Sequence, residues 1–331
     1  MTAPVEMAQV WRGDFLECVH MGHAVVCNAQ GEVVQAWGDP DLVVLPRSSC
    51  KMIQALPLVE SGAADAAGLT SEHLALACAS HNGASIHVDR VRTWLDNLGL
   101  GDDDLRCGGH VPRDKEQEKC VICGHGPDQV HNNCSGKHAG FLTLTRHLGA
   151  GPEYIEADHP VQLAVKEAFE DVSGEDSPGF AIDGCSAPNF ATSLKGMARA
   201  MAFYANAGDG SVRDRAAVRL RQAMVAHPEL VAGEGRSCTE LMRAMDSKVA
   251  LKTGAEGYFA AILPELGLGV ALKIVDGQTR GAECAIASML VELGVLDADH
   301  PAAQKFLNAP ITNCRGIDAA YVRPGAAFAG V

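Results

Sequence analysis

Strand patterns stand at both ends of this chain, with helical patterns between them. Glu17 to Cys27 and Glu32 to Trp37 are predicted to form a hairpin around Asn28-Ala29-Gln30-Gly31. Near the other end, Tyr258 to Leu263 and Val270 to Val275 are predicted to form a second, around Pro264 to Gly269. Between them, Met52, Ala55, Leu56 and Val59 recur at helical spacing, which predicts a helix from about Ser48, kinked at Pro57. Ser85 to Leu98, His159 to Val172 and Val212 to His227 are further helix candidates, and Cys284 to Leu293 closes the chain with another. Leu42 to Leu45 is a short apolar run ending at Pro46. The pattern implies a sheet assembled from both termini with a helical lobe inserted, an α/β (α+β) architecture. At 331 residues the chain is long enough for one large domain or two lobes. His110 to Lys137, rich in Gly, Pro, His and Cys, is predicted to be irregular and to line a site.

Composition removes several classes of function. The net charge is −14 with no basic cluster, so neither phosphate backbones nor anionic membranes are expected partners. No apolar run reaches membrane-spanning length; Gly257 to Ile274 is broken by Pro264 and Glu265. The first 17 residues show no positive n-region and no apolar h-region, so a cytoplasmic location is expected. Twelve cysteines in such a chain point to metal or reactive thiols before a disulfide framework. Cys27, Cys78 and Cys284 lie in apolar runs and are expected to be packed thiols.

Ser48-Ser49-Cys50-Lys51 has the spacing S-x-x-K. Residues three apart on a helix share a face, so the Lys51 amine can reach the Ser48 hydroxyl. A helix start also offers free N–H groups to an oxyanion. Lysine is a base only when neutral, which requires burial or a nearby cation. The motif alone decides little, because chance supplies roughly half an occurrence in a chain of this composition. An N-cap serine with an exposed lysine would look the same. Two further strings change the balance. Ser80-His81-Asn82 ends the apolar segment Leu74 to Ala79, and Lys252-Thr253-Gly254 directly precedes the second hairpin. The order S-x-x-K, S-x-N, K-T-G resembles that of the serine β-lactamases and penicillin-binding proteins. The 32-residue interval from Ser48 to Ser80 is shorter than usual there, so the resemblance is one of architecture.

A second constellation is built on cysteine. Cys120-Val121-Ile122-Cys123 is a single C-x-x-C, readable as a redox pair, half a zinc site or two ordinary thiols. Asn133-Cys134-Ser135-Gly136-Lys137-His138 and Asp183-Gly184-Cys185 place two thiols on two loops, which with nitrogen or oxygen donors would suit zinc; two tight turns with packed cysteines would look alike. His81, His110, His131 and His138 lie near these motifs as ligands, substrate binders or structural hydrogen-bonding residues.

Together with Arg47, Gln54 to Ala63, Cys107-Gly108-Gly109-His110 and Ala255-Glu256-Gly257, these strings resemble the asparaginase II family of the rhizobial type over nearly the whole chain. The resemblance implies a serine β-lactamase-like fold, hydrolysis of L-asparagine to L-aspartate and ammonia, and a homodimer. It implies two Ser–Lys pairs, Ser48 with Lys51 and Ser80 with Lys252, and a zinc ion held by Cys134, Lys137 and Cys185. Lys137 would have to bind as the neutral amine. Arg47 suits the substrate α-carboxylate, since its planar fork matches that group, and Asp183 the α-ammonium; Asn82 and Gly254 complete the expected substrate contacts. Two other readings compete: a zinc amidohydrolase in which metal-bound water attacks, and a non-enzymatic zinc or thiol redox protein resting on Cys120 and Cys123. A β-lactam-binding protein is disfavoured by the lack of an export signal.

Overall fold

The computed structural model describes residues 2–124 and 126–331. Met1 and His125, which fall in the N-terminal and 110–137 stretches considered above, lie outside the described residues. The chain divides into two compact units. One comprises Met1–Ser49, Ser193–Asn206 and Glu240–Val331; the other comprises Cys50–Thr192 and Ala207–Thr239.

The first unit is built on an antiparallel sheet drawn from both termini, so the expected α/β (α+β) class is borne out. Its strands are β1 (Val5–Arg12), β2 (Phe15–Cys27), β3 (Val33–Trp37), β4 (Ala250–Gly254), β5 (Tyr258–Leu263), β6 (Leu268–Ile274), β7 (Ala309–Thr312) and β8 (Asp318–Pro324). The order is β7-β8-β1-β2-β6-β5-β4, with β3 also paired to β2. Both expected hairpins form. Every residue of β4 and β5 is buried, so neither strand shows the alternation of a sheet with one wet face. One face of the sheet carries Ala8 and Val10, packed on Cys284 of the helix Thr279–Glu292. The pairings Ala8↔His20 and Ala24↔Leu272 carry that face across to β6. Gly269 points the other way, onto the helix Leu194–Asn206, where its missing side chain lets the backbones of Ala198 and Ala202 approach. The unit is thus helix, sheet, helix.

The second unit is mainly helical. Ser71–Ala77, Ser135–His147, Pro160–Ser173 and Val212–Ala226 are its main core helices. Arg213 ties three segments by pairing with Glu60 at 2.9 Å and Asp171 at 2.7 Å. Gly136 sits against the Leu76 carbonyl and Gly140 against Ala77, so small residues let Ser135–His147 lie close on Ser71–Ala77. That approach brings Cys134 and Lys137 toward the end of the Ser71–Ala77 helix, where Ser80 follows.

Two sequence expectations are revised, and one helix was not expected at all. The helix expected from Ser48 begins as a 3₁₀ turn, Arg47–Cys50, becomes α-helical at Lys51–Gln54 and breaks at Ala55, with Pro57 in the first turn of Leu56–Glu60. Proline is tolerated there because its missing N–H belongs to the unbonded first turn. The 110–137 stretch is not wholly irregular, for it contains the helix Lys115–Cys123, capped by the Asp114 carboxylate on Gln117 N. The helix Leu194–Asn206 carried no expectation, although its buried face is apolar.

Candidate active site

In the first unit, the K-T-G strand and the Ser48 segment lie together. A side chain at Gly254 would meet the Pro46 carbonyl at 2.7 Å and Ser49 N at 3.3 Å. Glycine is therefore what lets the end of β4 run against residues 46–49. Arg47, just before Ser48, has φ 52°, a left-handed conformation that costs a non-glycine residue about 1–3 kcal/mol and marks a segment held by its surroundings. Ser49 is fully buried; its N–H and hydroxyl both bond the Pro46 carbonyl, at 3.1 and 2.5 Å. That N–H is therefore already used, and the helix start expected to serve an oxyanion is displaced to Lys51. Lys252 is buried in β4, with Nζ donating to Thr253 O at 2.9 Å.

In the second unit, Ser80-His81-Asn82 is fixed by its backbone hydrogen bonds. Ser80 N donates to Val231 O at 2.9 Å and His81 N to Asn133 O at 3.2 Å. Asn82 O accepts from Arg113 N at 2.8 Å and Asp114 N at 2.9 Å. Lys51 is fully buried, and its Nζ donates to Ala79 O, Ser80 Oγ at 3.0 Å and Cys134 Sγ at 3.0 Å. Three acceptors thus surround the Lys51 nitrogen. Within this unit, Lys51 is the lysine beside Ser80, a neighbour the pairing of Ser80 with Lys252 did not anticipate.

The expected metal ligands also fall in the second unit. Lys137 Nζ donates to Cys185 Sγ at 3.0 Å. The hydrogen bond between the two thiols holds Cys134 above and Cys185 below the ordinary thiol value; burial opposes the Cys185 thiolate and the Lys137 ammonium favours it. Burial alone would lower the Lys137 pKa, but the Cys185 and Cys134 sulfurs outweigh it and hold the amine above its usual value. Among the described residues, no three His, Cys, Asp or Glu side chains are arranged for a metal. Two sulfurs and a lysine nitrogen do converge. His138 Nε2, buried beside Cys185, makes no hydrogen bond of normal geometry among the described residues. This donor set suits zinc, provided Lys137 gives up its proton.

Asp183 closes a tight turn. Its Oδ1 accepts Gly184 N at 2.8 Å and its Oδ2 lies 3.7 Å from Cys185 Sγ, with Ser186 at φ 68°. Asn82 Oδ1 accepts Ala84 N at 3.2 Å, and the side chain packs where Gly233 lacks one. Of the four histidines, His81 accepts Gly83 N through Nδ1 and meets Ser135 Oγ at 3.0 Å through Nε2, and His131 Nδ1 accepts Asp128 N. Both hold backbone N–H groups of their own segments. His110 is exposed.

Two polar residues beside the thiols went unseen in the sequence. Tyr154 OH takes a hydrogen bond from Arg106 N at 2.7 Å and meets His138 Nδ1 at 2.9 Å. Asn133 Oδ1 lies 3.2 Å from Cys134 Sγ. A lone tyrosine in an irregular stretch carries no periodic signal. Asn133, inside a quoted motif, could have been singled out as the polar neighbour of Cys134.

No curated protein matches this chain. Among solved structures, similar ones include Mglu in its native form, at 14% identity and TM-score 0.48, covering 84% of this chain and 66% of that one. A putative β-lactamase from Bacteroides dorei matches at 12% identity and TM-score 0.41, over 77% of this chain and 87% of its own. A β-lactamase from Mycobacterium bovis matches at 12% and 0.39, over 83% and 95%. The chain spans just under two thirds of the length of native Mglu. The family description L-asparaginase II matches residues 8–324, nearly the whole chain, and the chain belongs to that family.

Proposed function

We propose that this protein hydrolyses the side-chain amide of L-asparagine to L-aspartate and ammonia through an acyl-enzyme on Ser48. Family membership supports the reaction, and the observation that carries the mechanism is the Lys51 amine at 3.0 Å from Ser80 Oγ. In this reading Lys51, when neutral, takes the proton as Ser48 Oγ attacks the carboxamide carbon. The proton passes through the Ser80 hydroxyl to the departing nitrogen, which leaves as ammonia. Water then enters, gives its proton back along the same path, and releases aspartate. Lys252 adds positive charge near the reacting carbonyl and forms the second pair with Ser80. Arg47 takes the α-carboxylate and Asp183 the α-ammonium, while Asn82 and the backbone at Gly254 contact the amide.

We further propose that Cys134, Lys137 and Cys185 hold one zinc ion. When bound, it supplies positive charge that orients the substrate. The two sulfurs and the lysine nitrogen already meet, and a thiolate at Cys185 is the form a metal takes.

Ser48→Ala is expected to remove turnover, read as ammonia release from L-asparagine, while circular dichroism and zinc content stay unchanged. Retention of more than about 5% of the rate would sink the nucleophile assignment, since losing an activated nucleophile removes several powers of ten. Cys185→Ala is expected to lose the metal, measured by elemental analysis; unchanged zinc would sink the ligand assignment. If chelation abolished activity while Ser48→Ala kept it, metal-bound water would be the nucleophile instead.

A further inference from the structure

The C-x-x-C of the sequence takes no part in the proposed reaction. Cys120 and Cys123 close the helix Lys115–Cys123, and both are exposed. Most of the other described cysteines are buried. From this pair we infer a modification site: Cys120 and Cys123 form a reversible disulfide by exchange with a small disulfide of the glutathione class.

Helix geometry makes the pair nearly bridgeable. Positions i and i+3 have Cβ atoms about 5–6 Å apart. A disulfide needs them at about 3.5–4.5 Å. In 3₁₀ geometry i and i+3 eclipse, so tightening the last turn closes the gap. That turn already leans that way, since Gly124 N donates to Val121 O, an i→i+3 bond of 3.3 Å. The helix ends at Gly124, so no further turn has to follow the tightening. Val121 is the single buried residue of this helix, and little packing resists the change.

The exchange balances without another reactant. The thiolate of one cysteine attacks the small disulfide, forming a mixed disulfide and releasing one small thiol. The second cysteine attacks the protein sulfur of that mixed disulfide and releases the other small thiol. Two protein thiols are oxidised and one small disulfide is reduced to two thiols. The N-terminal end of the same helix is bound to the Ser80-His81-Asn82 segment: Arg113 N and Asp114 N share the Asn82 carbonyl, and Gln117 Nε2 bonds Ser85 Oγ at 2.8 Å. The modification therefore sits one short helix from a segment of the candidate site.

The test uses the full chain with oxidised glutathione as the probe, quenched by alkylation and read by peptide mass. The wild type is expected to give a Cys120–Cys123 peptide about 2 Da lighter than the dithiol form, reversed by dithiothreitol. Cys120→Ser and Cys123→Ser are each expected to stop at a stable glutathione adduct on the remaining cysteine, because no neighbour resolves it. Cys314, exposed and without a partner thiol one turn away, reports that the reagent works. The inference fails if Cys314 gains glutathione while Cys120 and Cys123 are alkylated as free thiols. It fails equally if both carry glutathione in the wild type without closing.

Discussion

At the residue scale, the main surprise is Lys51. Sequence spacing assigns it to Ser48, and the structure sets its amine 3.0 Å from both Ser80 Oγ and Cys134 Sγ. One buried amine thus touches a residue proposed for catalysis and a residue proposed as a metal ligand, which the sequence presents as separate. Ser80→Ala is therefore expected to lower kcat by about 10²–10⁴, the usual contribution of a positioned proton carrier, with a smaller change in KM; a matching fall in zinc content would mean the variant acts through Cys134 instead. Gly254 is the other residue whose role only distances reveal. Gly254→Ala would set a Cβ 2.7 Å from the Pro46 carbonyl and displace the Ser48 segment. A shift of about 1 Å at a reacting group is worth about 10² in rate, so the variant should lose activity to that order while its thermal midpoint falls little. Unchanged ammonia release would show that residues 46–49 can give way without consequence.

Elements with strong periodicity or strong turns were legible. Both hairpins and the helices Ser85–Asn97, Pro160–Ser173 and Val212–Ala226 follow from side-chain spacing and flanking breakers. Elements defined by contact were not. The helix Ser135–His147 is buried over its first eleven residues, so it lacks the polar face that makes periodicity visible. Its glycines Gly136 and Gly140 make contact with another helix. Gly136→Val would drive a branched side chain into the Leu76 carbonyl. The expected cost is about 1–3 kcal/mol of stability, the range for overpacking, read as a lower urea midpoint with an unchanged slope. An unchanged midpoint would mean the two helices separate freely. The strands β7 and β8 also escaped the sequence, because they gain their hydrogen bonds only by tertiary pairing, the edge strand β7 with β8 and β8 with β1.

For the molecule as a whole, buried histidines, His81 and His87 among them, are expected to set a pH limit. His81 and His87 stack with ring centroids 4.7 Å apart and planes 8° from parallel. Burial, first of all, lowers both below the ordinary 6.5. The unfolded chain then binds more protons than the folded one as pH drops below that value, so stability is intact above it and is lost on acidification. The urea midpoint is expected to fall from pH 7.5 to pH 5.5, and His87→Gln should flatten that fall; an equal fall in the variant would place the titrating group elsewhere. No helix of the described residues is long and apolar enough to cross a membrane. What the sequence alone determined is the class of fold, a sheet from both termini with helices between, and the short strings that carry chemistry, because periodicity and motif spacing are local properties. Only the tertiary structure decided that Lys51 lies beside Ser80 and Cys134, that a side chain at position 254 would meet the Pro46 carbonyl, and that Lys137 bonds Cys185. Those depend on distances between residues far apart in the chain, and such distances exist only once the core has been packed.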